Sequence, residues 1–299
     1  MKDHALIALA FDKQVRIYVS QTTHLVEQAR QLHQTWPTAT AALGRLLTAS
    51  AMMGLMYKKG ERLTLRVKGD GPIGQMLVEA NPEGDVRGEI QNPHVYLTFD
   101  DPSLKHKLDV GSAVGKGFLH VTKDLGMKDY FTSSSALQTG EIGDDFTYYF
   151  AMSEQVPSSV GLGVLVDVDQ SVLASGGYIL QLLPYTSETT VQRIEDIIGA
   201  IPPMSTLIHE GKTPEDIVSL LSDGTAAILD KRLLRYHCHC SKRGFARSLS
   251  ALDRETLDTL INEDGKAEVE CHFCHRKYVY SKTELLQIKS GREPQKKEV

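Results

Sequence analysis

Cys238-His239-Cys240 and Cys271-His272-Phe273-Cys274 hold every cysteine of the chain, with residues 241–270 between the two pairs. Two close pairs joined by a short folded stretch are what a tetrahedral four-thiolate zinc site needs, because each pair clips one edge of the metal and the intervening chain closes the other edges. The first pair is C-x-C, tighter than the usual C-x2-C knuckle. Cys238, Cys240, Cys271 and Cys274 are therefore the expected ligands of one Zn2+ per chain, set in a small C-terminal α+β module.

The surroundings of the cysteines narrow the chemistry. Lys266 to Glu270 and Tyr278 to Ser281 read as two strands, which places the second pair on a hairpin turn. A thioredoxin-like C-x-x-C should instead open a helix whose dipole depresses the thiol pKa. Cys271 to His275 also spells the haem-attachment pattern C-x-x-C-H, but that reading leaves Cys238 and Cys240 without a role. His237, His239, His272 and His275 interleave with the cysteines, yet four thiolates already close a structural site and leave no position for a catalytic water. Elsewhere there is no nucleophile elbow, no H-E-x-x-H and no convincing acid–base pair. Asp144 and Asp145 stand at a helix start, where dipole compensation accounts for them. The chain is not expected to be an enzyme.

Composition bounds the rest. At 299 residues, 41% hydrophobic and 24% charged, the chain is ordinary globular protein of roughly two domains. Met1 to Leu6 show no export signal, so the expected compartment is the cytoplasm, where thiols stay reduced. Thr38 to Tyr57 mimics a membrane span, but Arg45 lies inside it and an Arg there costs about 2.5 to 3.5 kcal/mol. A buried core helix is the expectation, and no membrane partner. The net charge of −5 is uneven: from Lys231 onward fifteen Lys and Arg face ten Asp and Glu, against eighteen and twenty-eight before. Lys231, Arg232, Arg235, Lys242, Arg243, Arg276 and Lys277 are expected around the cysteines, where cations would balance a four-thiolate zinc of formal charge −2.

Periodicity points to an α+β fold, with a mainly antiparallel N-terminal sheet and packed helices. Ala5 to Phe11 and Val15 to Ser20 form an opening hairpin, the second strand alternating as a half-buried strand should. Helices are expected from about Thr23 to Gln34, after Pro37, and near Glu141 to Gln155. Strands are expected at Leu63 to Val67, Gln75 to Glu79, Val86 to Glu89, Gly117 to Val121, Gly161 to Val168 and Tyr178 to Leu183. No regular alternation of strand and helix supports a doubly wound sheet. Gly69 to Gly74 has the letters of a dinucleotide fingerprint, but a strand follows where a helix must, so it reads as a turn. From Thr186 to Asp230 short amphipathic helices take over: Val191, Ile194, Ile197, Ile198 and Ile201 make one stripe, and Thr213-Pro214 caps another with Ile217, Leu220 and Leu221. The expected domains are 1–185, a helical linker 186–230 and the zinc module 231–299. A frayed tail is expected from about Gly291.

A module this small should depend on its metal, since structural zinc supplies on the order of 10 to 16 kcal/mol in small peptide modules. Oxidants can remove it: a bound thiolate stays nucleophilic, and each sulfur has a neighbour two or three positions away with which to close a disulfide. Loss of the module's fold would spread to helices that depend on it and uncover Val191, Ile194, Ile198 and Leu221.

The run His237-Cys238-His239-Cys240-Ser241-Lys242-Arg243, with Cys271 to Cys274 before Tyr278, resembles the zinc switch of the redox-regulated heat-shock chaperones, the 33 kDa chaperonin family. Gly69 to Gly74, Val86-Arg87-Gly88-Glu89 and Ser153-Glu154-Gln155-Val156-Pro157-Ser158 resemble that family's N-terminal domain. The resemblance implies a cytoplasmic, ATP-independent holdase of the stress response. Zinc-bound and inactive when reduced, it would be activated by disulfides Cys238 to Cys240 and Cys271 to Cys274, with release of the metal. It also implies that the oxidised form is a homodimer that binds unfolding client proteins. The rival from another class is a zinc-ribbon protein that binds nucleic acid through its basic face. That rival explains the C-terminal charge but not the acidic first domain, so no nucleic-acid partner is expected.

Overall fold

The computed structural model describes residues 2–104 and 107–291, so the expected frayed tail lies, beyond Gly291, outside the described residues. The chain divides into two compact units, Met1–His237 and Cys238–Val299.

The first unit opens with the hairpin of β1 (His4–Ala10) and β2 (Val15–Gln21), whose loop runs through Phe11, Asp12 and Lys13 at positive φ. α1 (Thr23–His33) and α2 (Pro37–Gly54) follow, with Pro37 in the first turn, where its missing N–H is no loss. β3 (Arg62–Gly69), β4 (Gln75–Ala80) and β5 (Asp85–Ile90) make a meander. After the short α3 (Val110–Val114) come β6 (Gly117–Asp124), β7 (Phe131–Ala136), α4 (Gly143–Ser153), β8 (Ser158–Val166) and β9 (Val172–Leu182). α5 (Glu188–Ala200), α6 (Met204–His209), α7 (Pro214–Leu221), β10 (Ala227–Leu233) and β11 (Arg235–Tyr236) complete the unit. One sheet has the order β10-β1-β2-β9-β8 and the other β11-β5-β4-β3-β6-β7; every pairing is antiparallel except β11 with β5. The fold is α+β, as expected.

α2 packs on β2, β8 and β9 of one sheet and on β3, β4 and β5 of the other. All its residues except Pro37 and Arg45 are consequently buried. A helix apolar on every side belongs in a core or a membrane; here two sheets supply the core. Its hydroxyls bond inward, Thr48 to the Gly44 carbonyl and Ser50 to that of Leu46, each at 2.7 Å, while Arg45 pairs with Glu141. Among the described residues no helix is long and apolar enough to cross a membrane.

β2 is buried on both faces rather than half-buried. Tyr18 faces the α2 core, and Val15, Ile17 and Val19 join Leu6 and Ala8 of β1 under Ile194, Met204, Leu207, Ile217 and Leu221 of α5 to α7. The helices expected in the linker are thus the cover of this sheet's second face. α5 is the loosest: only Thr190 and Ile194 are buried, and Ile197, Ile198 and Ile201 pack partly. Leu220, expected in the α7 stripe, points outward and is 45% exposed. Thr213 and Asp216 form the capping box that starts α7. β10 runs across the expected boundary at 230/231 and pairs with β1.

Gly69 to Gly74 is the turn between β3 and β4. Its N–H groups are occupied: Gly69 bonds to the Gly74 carbonyl, Gly71 to Val114 and Ile73 to Ala113. A Cβ on Gly69 would lie 1.9 Å from the Val114 carbonyl oxygen, so this glycine lets α3 approach rather than a phosphate.

The second unit carries α8 (Lys242–Ser250), α9 (Arg254–Thr259), the hairpin β12 (Lys266–Glu270) and β13 (Lys277–Ser281), and α10 (Lys282–Lys289). Its small core gathers Leu249, Ile261, Ala267, Tyr280, Leu285 and Ile288.

Candidate metal centre

Cys271 and Cys274 sit on the turn between β12 and β13, as the sequence predicts. The Cys271 N–H donates to the Arg276 carbonyl at 3.0 Å and the His275 N–H donates back to the Cys271 carbonyl at 2.7 Å, with His275 in the left-handed region. This closes a knuckle that turns both sulfurs to one side. Cys238 and Cys240 precede α8, whose N-cap is Ser241; its hydroxyl accepts the Gly244 N–H at 3.1 Å and fixes where the C-x-C segment ends.

Alternate residues of β13 share a face, and two of them fasten the first pair to the second. The Tyr278 hydroxyl donates to the Cys240 carbonyl at 3.1 Å and lies 3.3 Å from its sulfur, while Tyr280 donates to the Lys242 carbonyl. From sequence alone these tyrosines are assigned no part in the site. Their two-residue spacing directly after the second cysteine pair was the available signal.

All four Sγ atoms lie within 4.8 Å of one another. Cys238 and Cys271 are 3.6 Å apart, and Cys240 and Cys274 3.4 Å. A tetrahedron with metal–sulfur bonds of about 2.3 Å has edges of about 3.8 Å, whereas a disulfide needs about 2.05 Å. None of the four sulfurs is in a disulfide, and the quartet fits Zn2+. Among the described residues no histidine joins the sulfur cluster, and the His275 ring turns to Glu270 at 2.7 Å.

Proximity splits the thiols. Burial alone would raise Cys240, but hydrogen bonds from Tyr278 and the other thiols outweigh it and bring it to about 7. Burial pushes Cys271 up and drives Cys274 to about 12, with the Cys240 sulfur adding to the rise. The Cys240 proton leaves readily, whereas burial holds those of Cys271 and Cys274 until a cation takes their place, the behaviour of a metal site whose ligands titrate as a group.

The expected ring of cations is only partly present. Lys231 and Arg232 lie on β10 and Arg235 on β11, in the first unit, paired with Glu215, Asp230 and Asp85. Lys242 pairs with Glu284 at 2.7 Å and lies over the Tyr280 ring; Lys277 pairs with Glu268 at 2.9 Å. Arg276 remains beside the cluster, its guanidinium held protonated by Tyr278 and by the charge of Cys240 and Cys274.

Comparison with known proteins places this geometry. A family model described as Hsp33 protein matches residues 3–281. The 33 kDa chaperonin of Acholeplasma laidlawii is 54% identical, covering 96% of this chain and 99% of the relative. That of Geobacillus kaustophilus is 49% identical, with 97% and 98% covered. The crystal structure of the 33 kDa chaperonin of Thermotoga maritima superposes with a TM-score of 0.89 at 34% identity, over 96% of this chain and 98% of that one.

Proposed function

The chain belongs to the Hsp33 family of 33 kDa chaperonins, and from that premise we propose that it is an ATP-independent holdase switched by oxidation of Cys238, Cys240, Cys271 and Cys274. The family is one of chaperones, not enzymes. The observation that carries the reading is the convergence of four sulfurs in a unit whose own core is small. Bound Zn2+ keeps the four sulfurs deprotonated and the two loops together. In each oxidation a thiolate attacks peroxide to give a sulfenic acid, and a second thiolate displaces water from it. Two thiolates, one peroxide and two protons thereby become one disulfide and two waters. Two rounds consume all four ligands and free the cation.

The pairing we assign is Cys238 with Cys240 and Cys271 with Cys274. Within the cluster every sulfur is near every other, so distance selects no pair. Once the loops part, partners two or three residues away stay close, while those more than thirty apart must close a long loop. We assign residues 1–185 to the client-binding core, 186–230 to the linker and 231–299 to the switch. The protein acts in the cytoplasm, and its oxidised form is a homodimer that holds unfolding proteins.

Peroxide with mild unfolding is expected to release one zinc per chain, to yield the two short-range disulfides on peptide mapping, and to switch on suppression of aggregation without nucleotide. Full holdase activity in the reduced, metal-loaded protein would overturn the reading.

A further inference from the structure

We propose that β1 is a docking edge for client protein: when β10 leaves it, an extended apolar segment of an unfolding chain pairs with β1 in its place. The inference rests on the holdase function proposed above and specifies where the client is held.

β1 reads His4-Ala5-Leu6-Ile7-Ala8-Leu9-Ala10, with no carboxylate, lysine or arginine. One side of it is paired with β2 and the other only with β10. Leu6 and Ala8 are buried in one core and Ala5 in the other, so this is an interior strand with apolar residues on both faces. β10 is a poor match for it. Asp230 stands opposite Ile7, Lys231 opposite Leu6 and Arg232 opposite Ala5. Cross-strand pairs stabilise a sheet when apolar side chains pack on one another or opposite charges meet, and three charges against three apolar residues forgo that contribution. The register slips between Ile7 and Ala8, leaving Leu229 without a partner and 59% exposed. All residues of β10 except Asp230 are exposed.

Side-chain anchors do not compensate. Lys231 pairs with Glu215 and Arg232 with Asp230, each between groups at least 38% exposed, where ion pairs contribute little. Charges on an edge strand do have a use: they keep other chains from adding to the sheet. β10 is therefore both a weak partner and a guard. It is joined to Cys238 through Leu234 to His237, a link whose own hold is the two-residue β11 on β5, so release of β10 requires that short pairing to yield as well.

The exposed edge of β1 would offer main-chain donors and acceptors to any extended segment, with alternate side chains selecting for apolar content. Ala5 and Ala8 leave room opposite for large residues. Such an edge discriminates unfolded from folded protein without reading a particular sequence, which is what a holdase requires.

The test follows amide exchange in the full chain, reduced and peroxide-oxidised, with and without a chemically unfolded client enzyme, while zinc release and aggregation are read on the same samples. Expected are loss of protection at 227–233 on oxidation and recovery of protection at 4–9 only when client is added. If zinc leaves and aggregation is suppressed while 227–233 stay protected, or 4–9 stay open with client bound, strand exchange is wrong and the holdase reading stands. Recovery at 4–9 without client, rising with protein concentration, would mean that a second copy takes the edge and would overturn the client assignment. Absence of zinc release or of suppression removes both readings together. The double variant Lys231→Thr, Arg232→Val tests the same point by improving β10: zinc release should be unchanged, and suppression per chain should fall by about five-fold on the usual worth of two cross-strand pairs. Unchanged suppression in a folded variant would count against the proposal.

Discussion

Leu47 in α2 and Leu285 in α10 are both fully buried, yet they belong to regions with different reserves. Around Leu47 stand two sheets and a helix buried on nearly all sides, a core that needs nothing but its own side chains. Around Leu285 stand short helices and a two-stranded sheet, a combination that is marginal alone in water. The difference teaches where a redox signal can act. Oxidising a sulfur in a region secured by burial would change little, whereas on the proposed function, in a region secured by four sulfurs around a metal, it would remove the principal support.

Removal of the metal is the strongest way to break the comparison. Chelation under reducing conditions should withdraw on the order of 10 kcal/mol from the second unit, by analogy with structural zinc in small modules. Amides in 242–289 should then exchange freely while those of α2 remain protected. If amide exchange finds 242–289 equally protected after demetallation, the contrast drawn here is wrong.

A core truncation probes the other side. Leu47→Ala should cost about 2 to 5 kcal/mol, because a close-packed site between two sheets cannot collapse around the void. Thermal unfolding should show the first unit destabilised while zinc content stays at one per chain. A loss of zinc in this variant would mean that the two units share their stability.

The same contrast explains what could be read in advance. α2 declared itself because a long apolar run between Pro37 and Gly54 has few uses, and the sulfur quartet because its ligands are adjacent in sequence. β10 did not, because Asp230-Lys231-Arg232 breaks the apolar alternation and only its partner β1 makes it a strand. β7 hid for a related reason: Phe131 to Ala136 is largely serine and threonine, and its edge position asks little of it. β11, with two residues, is held by Tyr236, whose hydroxyl donates to the Gly88 carbonyl at 2.7 Å, a contact far away in sequence. Of the metal centre, the four sulfurs were legible and the tyrosine fastening was not, since it depends on how β13 turns its faces.

Acid sharpens the comparison by the smallest effect. In the first unit Glu27 is partly buried, which alone would raise its pKa, but bonds from Arg30, the Val172 N–H and Gln31 hold it below the usual value. In the second, Glu284 is likewise held down against its burial by Lys242 and the Ser281 N–H. A carboxylate depressed in the folded state stabilises above its unfolded pKa, about 4.3 for Glu, and that support is lost as pH falls through the lower folded value. Each group should be worth on the order of 0.5 kcal/mol, so neither decides the acid limit of its unit. In the second unit proton competition for the sulfurs does, since metal affinity falls as thiolates are protonated. On lowering pH, the second unit should therefore open together with zinc release, before Glu27 begins to titrate. Glu27→Gln should leave the pH of zinc release where it was and remove only a small part of the first unit's stability at pH 7. A shift of the zinc-release midpoint in that variant would show that the two regions do not stand on separate supports.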